Sequence, residues 1–369
     1  MPVYSCVPDK LNQVMISTMP SSSRTHSRIS CKRFTSVALL TLLIVLVARH
    51  SVTVRVESSQ SQAESILEST KPCVAEKARP KYVCAVGNPP WNHLAMREEL
   101  NKFHSVYTKR PGGKNEGGGA FFHYFALWCV IKALKPSVIV ESGIYHGVGS
   151  WFLRQAAGRD TQMIFISPEE PKVYRDEQPS SLYFTSENFI DFGKVEWSQV
   201  LPSGQTRLET LVFFDDHQDG TKRVQEARQF GFGHVMFDDN YLPGFGDNLS
   251  VKMICEPAIH KLILGTDAPY KRIDNFGSVQ AIVNAEWYLD RRAQLYENID
   301  VYAEFPPVWS GPSRFKVPGD ILPLVTLPPI FPREELTLHV NFDEESKRYT
   351  HIVYLKLKPP ATTTSQAER

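Results

Sequence analysis

The stretch Val138-Ile-Val-Glu-Ser-Gly-Ile-Tyr-His-Gly-Val-Gly-Ser150 constrains this chain more than any other. A β-branched apolar run ends in Glu141, and Gly143, Gly147 and Gly149 follow before the helix-like segment Trp151 to Ala157. The pattern predicts a strand, a tight loop and a helix start. Glycine permits sharp bends and close approach of backbone to a ligand. The unpaired N–H groups of a first helical turn then point at whatever the loop holds. A carboxylate at the strand tip argues against a phosphate there and favours a cationic or hydroxylated ligand.

The following pattern repeats this theme. Phe121, Phe125, Trp128, Cys129 and Ile131 mark a buried helix face that Pro136 stops. After the first strand, strands are expected at 163–167, 182–184, 211–214 and 234–237, with helices at about 148–157 and 221–230 between them. An early helix is expected over 92–109 and another over 278–297. Alternating strands and helices imply an α/β fold with a doubly wound, mostly parallel sheet. Binding residues should sit at the carboxyl ends of its strands. Two late alternating runs, Leu336–Phe342 and His351–Leu357, predict a C-terminal antiparallel hairpin. The glycine-rich run Arg110 to Gly119 lacks the Lys-Ser/Thr of a phosphate loop. It reads as a surface loop, with a lid over a ligand as the alternative.

Two strand ends carry paired acids: Phe213-Phe-Asp-Asp-His-Gln-Asp219 and Phe237-Asp-Asp-Asn-Tyr241. One helix separates the two strands, so both acidic tips should face one crevice. Clustered carboxylates repel unless a cation is bound or some are protonated. An oxygen-rich set suits Mg²⁺ or another hard divalent ion, which can lower the pKa of a substrate hydroxyl.

Together these motifs resemble the class I S-adenosylmethionine-dependent methyltransferases, over roughly residues 119–245. Within that group they are similar to the cation-dependent O-methyltransferases of catechol, caffeoyl-CoA and macrocin type. The resemblance implies a Rossmann-like methyltransferase fold. It implies that Glu141, Gly143, Tyr145, Gly147, Gly149 and Ser150 hold the methionine end of the cofactor, with Glu141 toward its amino group. Glu169 or Glu170, after the second strand, would bind the ribose, and Asp191 the adenine. Asp215, Asp216, Asp239 and Asn240 would hold the cation. The family's lysine base falls at Gln218, which cannot accept a proton usefully. His217 is the candidate base in its place, together with Asp215 as catalytic residues.

The N-terminus is of a different character. Residues 1–33 are basic and Ser/Thr-rich, and an apolar run from Ser36 to Ala48 ends at Arg49 and His50. The run is shorter than the ~20 residues that span a bilayer, but Phe34, Thr35 and a snorkelling Arg49 extend its reach. Positive charge ahead of it favours a cytosolic N-terminus. The expected organisation is a basic tail (1–33), a signal anchor (34–50), a stem (51–80), the methyltransferase-like domain (81–358) and a tail (359–369). The expected location is a single-pass membrane protein of the secretory pathway; a cleaved signal peptide or a transit peptide are the alternatives. Asn248-Leu-Ser250 is a glycosylation sequon consistent with a luminal site. Cys73 and Cys84 are close enough in sequence for a bridge in an oxidising compartment, or are two unpaired thiols. No Cys/His spacing suggests zinc. A formal net charge of +1 gives no electrostatic case for nucleic acid.

The expected function is O-methylation of a hydroxylated small molecule or glycan. Two alternatives are carried. A Golgi-type glycosyltransferase would explain stem, anchor and acids, but not Glu141 and its loop. A non-catalytic binding protein would explain Gln218. The acceptor and the oligomeric state are not legible.

Overall fold

The computed structural model describes residues 84–360, apart from 85–86, 114–117, 244, 246–248, 265–269, 274–278, 284, 316 and 318. The expected basic tail, anchor and stem, Cys73, Asn248 and nearly all of the tail lie outside the described residues. Among the described residues no helix is long and apolar enough to cross a membrane.

Seven strands form the central sheet: β1 (Val138–Ser142), β2 (Gln162–Ser167), β3 (Ser181–Thr185), β4 (Leu211–Phe214), β5 (His234–Phe237), and the late pair β8 (Ile299–Glu304) and β9 (Val353–Leu357). A separate two-stranded hairpin joins β6 (Tyr270–Ile273) to β7 (Val279–Val283). The large sheet runs β3-β2-β1-β4-β5-β9-β8. Strands β1 to β5 are parallel, and β9 is antiparallel to both neighbours, β5 and β8. This is the doubly wound α/β arrangement expected, closed by an antiparallel pair; it is the strand order of a Rossmann-like methyltransferase fold.

The sheet is covered on both faces, which its sequence anticipates. All five residues of β1 are buried, and alternate residues enter opposite cores. Ile139, Phe165, Phe213 and Met236 join one apolar cluster; Val140, Ile164, Val212 and Val235 join the other. The Phe121–Leu134 helix is apolar almost all round and is buried from Phe121 to Ile131, as a helix roofed by neighbours must be. Lys135 ends it in the left-handed conformation (φ 49°), ahead of Pro136.

Three expectations are corrected. The hairpin pairs β9 with β8, not with Leu336–Phe342. The alternation in 336–342 reflects one-sided burial: Leu338 is buried and Leu336, Val340 and Phe342 pack on the same core. Asn341 then caps the Phe342–Lys347 helix by accepting from the Glu344 N–H at 3.2 Å. Residues 278–297 are not one helix; β-branched Val279–Val283 is a strand, and the helix is Ala285–Asn298. Cys84 pairs with Cys255 across 171 residues, not with Cys73.

Candidate functional site

The glycine loop between β1 and the Val148–Ala157 helix shapes one wall of a crevice at the carboxyl ends of the strands. Its glycines are required by the protein's own backbone. A Cβ on Gly143 (φ 94°) would lie 2.1 Å from the Asp215 carbonyl oxygen, and one on Gly147 (φ 86°) would lie 1.9 Å from that of Tyr174. The absent side chains let β4 and the 171–174 loop close on β1. Gly147 is also the N-cap of the following helix. Between these glycines Tyr145 stands at φ 48°, half exposed and stacked on His146 at 3.8 Å.

Glu141 and Ser150 lie beneath the loop rather than on the crevice wall. Glu141 is 1% exposed and accepts a 2.5 Å hydrogen bond from the Ser150 hydroxyl. Gly149 packs on the same carboxyl; a Cβ there would sit 2.8 Å from it. Burial drives the Glu141 pKa up to about 8, against the Ser150 hydrogen bond that lowers it. The residue expected to greet a cationic ligand is thus a buried carboxyl that ties loop to helix.

The crevice itself has a volume of about 490 Å³ and is lined by Ser142, Gly143, Tyr145, Ser167, Pro168 and Asp191, with Asp215, His217, Gln218 and Arg223. Glu169 is not on its wall: it is exposed and pairs with Lys172 at 3.2 Å. Asp191 is on the wall, but its carboxylate is committed. It receives Arg223 Nη2 at 2.7 Å and Nη1 at 3.1 Å, and the Gly193 N–H at 3.0 Å. The hydrogen bond from Arg223 holds Asp191 below the usual carboxylate range.

Arg223 organises this end of the site. It is 1% exposed and is shared among Asp191, Asp216 and Glu226, the Asp216 contact at 2.7 Å. Asp216 also accepts from the Ser142 hydroxyl at 2.6 Å, which locks β1 to the end of β4. Of the expected cation ligands, Asp216 therefore faces an arginine. Asn240 is fully buried: it accepts from the Lys252 N–H at 2.7 Å and donates to the Tyr302 hydroxyl at 3.2 Å.

The remaining acids converge. One atom each from Asp215, His217 and Asp239 lie within 4.8 Å of one another, close enough to share a metal ion. His217 Nδ1 is 3.2 Å from Asp239. Its backbone is left-handed (φ 52°), an uncommon conformation for a residue other than glycine. Burial, Asp238 and Asp239 push the Asp215 carboxyl well above the usual carboxylate range, and burial and Asp239 do the same to Asp238. A cation would relieve this repulsion, so the donor set fits a hard divalent ion.

A second cavity, of about 370 Å³, opens on the other side of the acids. Asp215 and His217 line it too, with His123, Asp238, Asp239, Tyr241, Arg314, Arg348 and Thr350. Gly118, near the end of the glycine-rich run, borders both cavities. A relay fixes the back wall. The Ala120 N–H donates to His123 Nδ1 at 2.9 Å, Nε2 lies 3.0 Å from the Thr350 hydroxyl, and that hydroxyl donates to the Asp238 carbonyl. Burial lowers the His123 pKa to about 4, so the ring is neutral.

Sequence reasoning missed Arg223, Arg314 and Arg348, and placed Asp238 in the acidic tip without a role of its own. A signal existed for the first. Gly220, Arg223, Val224 and Ala227 share one buried helix face, and an arginine at such a position must meet carboxylates. Arg314 and Arg348 come from the late irregular segments, where no local pattern announces a site.

The chain matches no described protein family and no curated protein. Among solved structures it is similar to an O-methyltransferase from Bacillus cereus in complex with SAH, at 12% identity and a TM-score of 0.23, over 52% of this chain and 91% of that one. Likeness at that level carries no functional argument.

Proposed function

We propose that this chain is an S-adenosylmethionine-dependent methyltransferase that methylates a hydroxyl oxygen with the help of a divalent cation, Mg²⁺ being the best fit. The observation that carries this reading is the shared wall of the two cavities. Asp215 and His217 border both the crevice by the glycine loop and the acidic cavity beyond. A cofactor in the first and a hydroxylated acceptor in the second, whether a small molecule or a glycan, would meet at those two residues.

When bound, the cofactor supplies an electrophilic methyl group and the cation lowers the pKa of the acceptor hydroxyl. The chain's own residues do the rest. Asp215 and Asp239 hold the cation. His217, oriented by Asp239 at 3.2 Å, would take the hydroxyl proton as general base. Gly143 and Tyr145 position the cofactor, and positioning supplies much of the rate of such a transfer. Arg223 keeps Asp191 and Asp216 in place at the crevice floor.

A luminal setting belongs to the same proposal. The Cys84–Cys255 bridge is of the kind that persists in oxidising compartments, in keeping with residues 34–50 acting as a membrane anchor.

Calorimetric titration of S-adenosylmethionine and of Mg²⁺ into the purified chain tests the reading. Micromolar cofactor binding is expected in the wild type and in Asp239→Asn, with Mg²⁺ binding lost in Asp239→Asn alone. Folded protein that binds no S-adenosylmethionine would sink the reading. Binding of both without turnover on any acceptor would point to a binding protein instead.

A further inference from the structure

The acidic cavity is not wholly acidic. Arg314 and Arg348 line it together with Asp215, Asp238 and Asp239. Arg314 is exposed, and its guanidinium rests on the rings of Tyr241 at 5.0 Å and Phe315 at 5.5 Å. Stacking of this kind holds the planar group in place and leaves its N–H edge to bind. Arg348 is half-buried and donates to the Gly118 carbonyl, which fixes it at the mouth shared with the crevice.

The second observation is an orphan. The Asp238 side chain is 7% exposed, and its Oδ1 has no hydrogen-bond partner although it is fully buried. His123 Nδ1, 3.6 Å away, is already an acceptor for the Ala120 N–H. Asp238 therefore asks for a donor from within the cavity, and a neutral hydroxyl answers that demand. Charge gives the other half. A divalent cation held by Asp215 and Asp239 would offset two of the three carboxylates on the walls and leave the guanidinium groups of Arg314 and Arg348 in excess. Two guanidinium groups lining one cavity suit an anion.

We propose that the acceptor is an anionic polyol, its carboxylate or phosphate held by Arg314 and Arg348 while one of its hydroxyls donates to Asp238. The proposal rests on the transferase reading for the word acceptor, and on the cavity alone for the chemistry of what binds. Arginine pairs take carboxylate and phosphate alike through parallel N–H donors, so the test separates the two sources.

Glucose, glucuronate and glucose 6-phosphate present one ring with a neutral, a carboxylate and a phosphate group. Each is titrated into the purified chain with Mg²⁺, beside Arg314→Gln and Asp238→Asn. Arg314 is exposed, so its variant keeps the fold. At least one anionic sugar is expected to bind tenfold or more tightly than glucose, and which of the two prevails identifies the anion. Arg314→Gln should erase that preference, and Asp238→Asn should weaken all binding sugars together. S-adenosylmethionine affinity should be unchanged in Arg314→Gln. Equal binding of glucose, no binding of any of the three, or an Arg314→Gln protein that still prefers the anion would overturn the proposal. Anion preference that depends on Arg314, in a protein that binds no S-adenosylmethionine, would uphold this site and overturn the transferase reading.

Discussion

Glu141 carries a measurable signature. Its pKa stands at about 8, above the ordinary value of 4.5, because it is buried. The folded state therefore holds a proton that the unfolded chain gives up, and stability should fall as pH rises from about 4.5 to about 8. Glu141→Gln keeps an acceptor for Ser150 and removes the ionisation. Chemical denaturation between pH 5 and 9 should show a flatter profile for the variant, the two proteins diverging by a few kcal/mol at the alkaline end. Parallel profiles would mean that the carboxyl is not protonated. Arg223 has the opposite standing, as one buried cation among Asp191, Asp216 and Glu226. Arg223→Met should cost roughly 3–5 kcal/mol, since it leaves the carboxylates uncompensated; a urea midpoint close to wild type would contradict this. Single residues were the least legible part of the sequence. Asp215, His217 and Asp239 were named from their place at strand tips, which the fold then brings together. Glu141 and Asn240 occupy similar tips, but whether a tip side chain turns outward or inward is decided by partners such as Ser150 and Lys252.

At the scale of elements, the glycine loop behaves as a spacer between strands. Gly143 sits at the joined ends of β1 and β4, with the Asp215 N–H donating to the Ser142 carbonyl at 2.8 Å. Gly143→Ala would place a methyl 2.1 Å from a backbone oxygen at φ 94°, strain that only backbone movement relieves. The variant should melt several degrees lower and lose S-adenosylmethionine binding by tenfold or more. Retention of both would show that β4 yields without disturbing the crevice. Strands β1, β2, β4 and β5 were legible because each is a short apolar run, as burial on both faces of a parallel sheet requires. The partner of β9 was not. Strand β8 follows the Ala285–Asn298 helix with no turn residues between them, whereas 336–342 alternates persuasively and yet forms no ladder. Alternation reports one-sided burial, and only tertiary pairing distinguishes a strand from an extended segment.

At the scale of the whole molecule, the Cys84–Cys255 bridge ties the start of the described chain to the Val251–Cys255 helix. A loop of 171 residues makes this a large constraint on the unfolded chain, worth about 5 kcal/mol in the chain-entropy estimate. Cys84→Ser, or reduction before heating, should lower the melting temperature by roughly 10 °C. An unchanged melting temperature would imply that the thiols are not joined in the native protein. No spacing rule could reveal a pair so far apart, since proximity here is created by the completed sheet. The common partition between the two cavities has a further consequence. A ligand that repositions Asp215 or His217 from one side alters what the other side offers. Linkage then requires the effect to be mutual: whatever factor the first ligand imposes on the affinity of the second, the second imposes on the first.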